Sequence, residues 1–148
     1  MDFFEPAYLV FFSRWLHVLS GIMWIGLLWY FNFVQIPSMP NIPDNEKPAI
    51  SKVIAPKALF WFRWAALATI ITGLSTAHLN GYLVNALTLG IIDGSQKNTA
   101  IGIGMWLGII MAYNVWMVIW PKQKIALGIV SANIDEKPLA ARKAMLFS

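Results

Sequence analysis

The stretch that decides the fold is RWLHVLSGIMWIGLLWYFNF, residues 14–33. An arginine, a tryptophan and a histidine open a run that is otherwise almost wholly apolar. From Trp15 to Pro43 there is no Asp, Glu, Lys or Arg, and the same holds from Trp64 to Ile92 and from Asn98 to Pro121. A helix needs about 20 predominantly apolar residues to cross a bilayer core, so each block is long enough. The whole chain is 58% hydrophobic and 12% charged, with mean hydropathy +0.60, against about 45–50% and about 25% in a soluble domain. These numbers predict an all-α integral membrane helical bundle with three transmembrane helices, forming a single membrane domain over residues 1–148.

Working outward, the spans fall at about 8–34, 58–84 and 98–120. Between the first two lies QIPSMPNIPDNEKPAISKVIAPK, with prolines at 37, 40, 43, 48 and 56. Proline lacks a backbone donor and forces its predecessor toward extended geometry, so a proline-rich loop is expected over 36–57. NGYLVNALTLGIIDG, after the second span, reads equally as a prolonged helix or an apolar loop. The third span is expected to stop at Pro121-Lys122, followed by a basic tail, 122–148.

Charge placement predicts topology. The loop carries Lys47, Lys52 and Lys57, and the tail Lys122, Lys124, Lys137, Arg142 and Lys143; the opposite side has Arg14 and Lys97. Lysine and arginine accumulate on the cytoplasmic side, so the expected location is a bacterial inner membrane with the N-terminus outside. The net charge of +4 therefore reports orientation, and no nucleic-acid partner is expected. The start, MDFFEPAY, is acidic and lacks a small-residue cleavage site, so the first helix is expected to be retained. Trp15, Trp61, Trp64, Trp116 and Trp120 lie near span ends, as interfacial anchors do.

The absence of cysteine removes disulfides, zinc-thiolate sites, iron–sulfur clusters and thioether-linked haem. No nucleophile–base set, carboxylate pair or phosphate loop is evident, and no acidic residue lies within a span. Two histidines remain, His17 and His78, both in spans, where ionisable groups are functional candidates. Counted from the neighbouring polar residues, both imidazoles fall roughly 5 Å inside the same boundary. Two imidazoles at one depth on antiparallel helices suit the two faces of a haem iron. Gly21, one turn from His17, leaves room for a flat macrocycle; Trp24 shares that face, and Arg14 is placed to pair with a propionate. The cofactor expected is haem b, with His17 and His78 as iron ligands. Each feature also has a plainer reading: Gly21 as packing, Arg14 as a snorkelling interface residue and His78 as a solvated helix end. Arg63 and Asn114, near span ends, are expected to bond backbone or lipid head groups. Gly104, Gly108 and Ala112 recur every four residues, a stripe that lets another helix approach.

Several motifs together carry a family resemblance. They are Arg14-Trp15-Leu16-His17-Val18, Gly21-Ile22-Met23-Trp24-Ile25-Gly26, Tyr30-Phe31-Asn32 and Phe60-Trp61-Phe62-Arg63-Trp64. To these add Gly104-Met105, Met111 to Trp116 and Ile119 to Lys124. In these the chain resembles the N-terminal membrane domain of bacterial membrane-bound urate oxidases (urate hydroxylases) and their small stand-alone relatives. The resemblance implies a helical membrane protein related to b-type cytochromes, with His17 at the family's histidine position. It also implies a fourth apolar helix after the stretch matching residues 140–148. Full-length enzymes of that family end in a cytochrome c domain that this chain lacks, so electrons would pass to a separate redox partner. Three functions follow as expectations. The first is a b-haem electron-transfer subunit of a larger membrane complex, and the second a haem-free accessory subunit of a respiratory or photosynthetic complex. Urate oxidation is implied by the resemblance alone. In the first two, other membrane subunits would dock through Gly104, Gly108 and Ala112.

Overall fold

The structure, a computed structural model, describes residues 5–127, 130 and 136–147. The protein is all-α, with three helices long and apolar enough to cross a membrane: α1 (Pro6–Asn41), α2 (Lys47–Leu79) and α4 (Gln96–Ala126). The short α3 (Leu83–Leu87) links α2 to α4, and α5 (Glu136–Leu146) follows α4. The chain forms two compact units, one of residues 1–22 with 65–112 and one of residues 23–64 with 113–148.

In the first unit, α1 and α2 meet through side chains that hydrogen-bond. Ser13 Oγ lies 2.7 Å from Thr76 Oγ1, and His17 Nδ1 lies 3.0 Å from the carbonyl oxygen of Thr69. Lipid supplies no hydrogen bonds, so each hydroxyl must find its partner within the protein. Thr69, Thr72 and Thr76 do so by donating to the carbonyls of Ala65, Ala68 and Thr72 one turn back. The second face of α2 meets α4, where a Cβ added to Gly108 would sit 3.5 Å from Ile70 Cδ1.

The segment after α2 is a defined turn, which resolves the two readings open from sequence. Gly81 (φ +75°) ends the helix in the left-handed conformation that glycine adopts without strain; the span therefore stops at Leu79 and not near 84. A single helical turn follows, then Leu89 (φ 56°) and Gly90 (φ 70°) reverse the chain. This turn is pinned to α4: Thr99 Oγ1 donates to the Leu89 carbonyl (2.8 Å) and Trp106 Nε1 to that of Leu87 (3.0 Å). Gly102 is the contact that permits it, since any Cβ there would overlap the carbonyl oxygen of Ala86.

The second unit contains every widened turn of the described helices. Residues 30–35, 50–54 and 114–119 are π-helical, and each such stretch ends two residues before a proline: Pro37, Pro56 and Pro121. A proline ring clashes with the carbonyl four residues back and cannot bond to it; widening the turn ahead of it moves that carbonyl aside. This corrects two expectations. The loop expected at 36–57 contracts to residues 42–46, because α1 runs to Asn41 and α2 begins at Lys47. Pro121 does not stop α4, which continues to Ala126. Pro48 lies in the first turn of α2, where the missing donor costs nothing. Part of the expected basic tail forms α5, with Ala140 and Ala144 buried; residues 128–129, 131–135 and 148 lie outside the described residues.

Candidate functional site

His17, the ionisable group of the opening span, is positioned by α2. Its Nδ1–H donates to the Thr69 carbonyl at 3.0 Å, with Thr72 Oγ1 at 3.4 Å as a weaker second acceptor. A carbonyl can only accept, so this bond places the ring proton on Nδ1 and leaves the Nε2 lone pair available. Nε2 has no hydrogen-bond partner among the described residues. The ring edge rests on the bare backbone of Gly73: an added Cβ would sit 2.8 Å from His17 Cε1, 3.1 Å from Nδ1 and 3.6 Å from Nε2. Gly73 is thus required for the histidine to reach Thr69.

Thr69, Thr72, Gly73 and Thr76 escape the motifs and charge patterns that single out His17, although their spacing of three, four and seven residues marks one helical face. A run of threonines with one glycine at that spacing, in an otherwise aliphatic span, is the signal that points to them.

His78 is not brought together with His17. The antiparallel register that pairs Ser13 with Thr76 and His17 with Thr72 sets His78 level with Phe11. It lies six residues beyond Thr72, or about 9 Å further along α2. His78 is exposed. The two imidazoles are therefore not at one depth: counting from the polar residues at each helix end misjudges the stagger between the helices, which the Ser/Thr/His contacts set instead.

The remaining expected site residues divide. Arg14 is exposed. Gly21 has no atom within 4 Å of where a Cβ would be, so the space one turn beyond His17 is open. Trp24 is 4% exposed and belongs to the core of the second unit, its Nε1 without a partner. Of the glycine stripe, Gly104 has no atom within 4 Å of its added Cβ, whereas Gly108 already packs on Ile70 of its own chain. Gly108 is half-buried and takes part in packing within the first unit.

The second unit holds a different polar group. Arg63 is 7% exposed, and its guanidinium carbon lies 3.3 Å from the centre of the Trp120 ring and 6.0 Å from that of Trp116. Its Nε and Nη1 are buried without partners, so the expectation that it bonds neighbouring backbone is not met at those atoms. An apolar cleft opens nearby in the same unit, lined by Phe31, Leu59 and Phe62 and by Gln35 and Gln123, whose amide oxygens are buried and unpartnered. No group of three or more His, Cys, Asp or Glu side chains that could hold a metal ion occurs among the described residues. No family model, curated protein or solved structure matches this chain.

The residues around His17 fit a haem iron as a single prepared ligand. The Nδ1–H to carbonyl bond is the arrangement that orients a metal-binding imidazole. The chain brings no second imidazole to the same place.

Proposed function

We propose that this chain is a membrane subunit that holds b-type haem through His17 Nε2 and takes part in electron transfer within a larger membrane complex. The observation that carries this reading is the 3.0 Å bond from His17 Nδ1 to the Thr69 carbonyl. It fixes both the tautomer and the ring plane, leaving one nitrogen with a free lone pair in an apolar span. Haem, when bound, supplies one-electron redox chemistry at its iron. The chain's own part is to aim the imidazole, through Thr69 and Gly73, and to leave the space beside Gly21 open. With His78 about 9 Å out of register, this chain would hold the group through His17 alone. Urate oxidation rests on the family resemblance alone and adds no residue to this proposal.

A haem-free accessory subunit is the second reading, and Gly73 is what favours it. A histidine that bonds a neighbouring helix and packs on its backbone already has a structural reason to be in the span. The visible spectrum of the protein purified from its native membrane separates the two. A Soret band lost in His17→Ala and kept in His78→Ala supports the haem subunit. Wild-type protein without any Soret band leaves the accessory reading standing.

The orientation proposed is an outward N-terminus in a bacterial inner membrane, supported by the concentration of lysine and arginine in residues 47–57 and 122–143. Single cysteines replacing Ser38 and Ser95 test it: only the second should react with a membrane-impermeant reagent added outside intact cells.

A further inference from the structure

The Arg63 cluster is a charge problem the chain does not solve for itself. Two cations share one indole: the Arg63 guanidinium at 3.3 Å and the Lys124 ammonium at 5.6 Å from the Trp120 ring centre. Stacking on an aromatic face favours each cation but does not neutralise it. The one ion pair among the described residues is Lys47 with Asp44, so no carboxylate among them serves this pair. Three donors in the cluster, Arg63 Nε, Arg63 Nη1 and Trp116 Nε1, are buried and unpartnered. Gln123, the residue before Lys124 on α4, carries a buried oxygen that is itself unpartnered, so it is not the acceptor these donors use. A buried charge left alone costs several kcal/mol, and an anionic acceptor would meet both the charge of Arg63 and its unpartnered donors.

The position says where that acceptor comes from. Trp120 directly precedes Pro121-Lys122-Gln123-Lys124, where α4 passes from apolar to charged sequence, and Arg63 follows Lys57 by six residues, about 9 Å of helix. An arginine one to two turns inside a membrane boundary reaches head-group depth by extending along its stem. We propose that Arg63 and Lys124, held on Trp120, bind the phosphate of an anionic phospholipid head group. Two cations with no ion-pair partner among the described residues select a lipid of net negative charge over a zwitterionic one.

The test uses the full chain, purified and delipidated in an uncharged maltoside detergent. Phosphatidylglycerol, phosphatidylcholine and inorganic phosphate are added separately, with thermal unfolding and native mass spectrometry as readouts. Phosphatidylglycerol should stay bound and raise the unfolding temperature, phosphatidylcholine should do so weakly and inorganic phosphate hardly at all. Arg63→Gln and Lys124→Gln should each weaken phosphatidylglycerol binding roughly five-fold, as expected for one charge at a membrane surface. Lys124 is half-buried and not in the core, so its variant decides the matter should Arg63→Gln fail to fold. Equal effects of the two lipids, equal stabilisation by inorganic phosphate, or unchanged binding in Lys124→Gln would each overturn the proposal.

Discussion

The two units handle polar groups in a membrane in opposite ways. In the first, the polar side chains at the α1–α2 contact are paired: Ser13 with Thr76, His17 with Thr69, and each threonine with its own helix. The helices there are regular and close, with glycine where the His17 ring or the Ala86 carbonyl must pass. In the second, the polar group is large and charged, and it is met by indole faces while Nε, Nη1 and Trp116 Nε1 go unpaired. The helices there are widened before prolines. A closed network gives one unit its internal specificity, and an open one leaves the other with buried donors unmet.

The sharpest way to break the first half of this comparison is at Gly102. Any side chain there meets the Ala86 backbone carbonyl, which cannot swing away as a side-chain tip can. Gly102→Val should cost about 3 kcal/mol or more, at the upper range of overpacking, and lower the unfolding temperature in detergent more than a methyl at Gly73 or the loss of any one proline. A variant unfolding within a degree or two of wild type would show that the α3 turn is not pinned to α4.

Next in size is Gly73→Ala. The new methyl must displace the His17 ring and with it the bond to Thr69, a loss of about 1–3 kcal/mol when a buried donor is left unmet. In the haem-subunit reading the same change should also shift or weaken the Soret band, because the imidazole is no longer aimed. In a His17→Ala background the ring is gone, so Gly73→Ala should cost little more there, and a double-mutant cycle reads the coupling directly.

A smaller effect belongs to the prolines of the second unit. Within a regular helix a proline costs roughly 3 kcal/mol, so replacing one with alanine would normally gain about that much. Here the widened turns at 114–119 and 50–54 already absorb the misfit. Pro121→Ala and Pro56→Ala should therefore each change stability by less than about 1 kcal/mol. A gain near 3 kcal/mol in thermal or denaturant unfolding would mean the π-turns relieve nothing.

What the sequence makes legible follows the same division. Three uncharged blocks make the spans plain, since hydropathy depends only on composition along the chain. Helix ends are misjudged where proline is taken for a stop. Val34-Gln35-Ile36-Pro37, Val53-Ile54-Ala55-Pro56 and Val118-Ile119-Trp120-Pro121 repeat a pattern in which proline instead follows a widened turn. His17 stands out as an ionisable group in a span, but its partner does not. A backbone carbonyl leaves no trace in sequence, and Gly73 is informative only once the helix stagger is known. Pairing His78 with it by depth assumes that the helix ends align, and they do not. Arg63 is visible as a charge near a span end. That Lys124, 61 residues further along the chain, shares its indole comes only from the fold.

The smallest effect is expected at the one ion pair among the described residues, where charge outside the spans could bear on the second unit. Lys47 Nζ donates to Asp44 Oδ1 at 2.6 Å in the short turn between α1 and α2. The hydrogen bond and then the attraction of the ammonium hold the Asp44 carboxyl below its ordinary value. A carboxyl lowered on folding lends its stability above the unfolded value and loses it as pH falls through the lower, folded one, so any contribution disappears only below about pH 4. The pair is open to solvent, with the Asp44 side chain 96% exposed, and exposed pairs are screened within about 8 Å at physiological salt. Asp44→Asn should therefore leave the unfolding temperature at neutral pH and about 0.15 M salt unchanged within error, with a difference emerging only at low ionic strength. A clear loss at physiological salt would mean that the 42–46 turn clamps α1 to α2, and that the second unit is held by more than its aromatic faces.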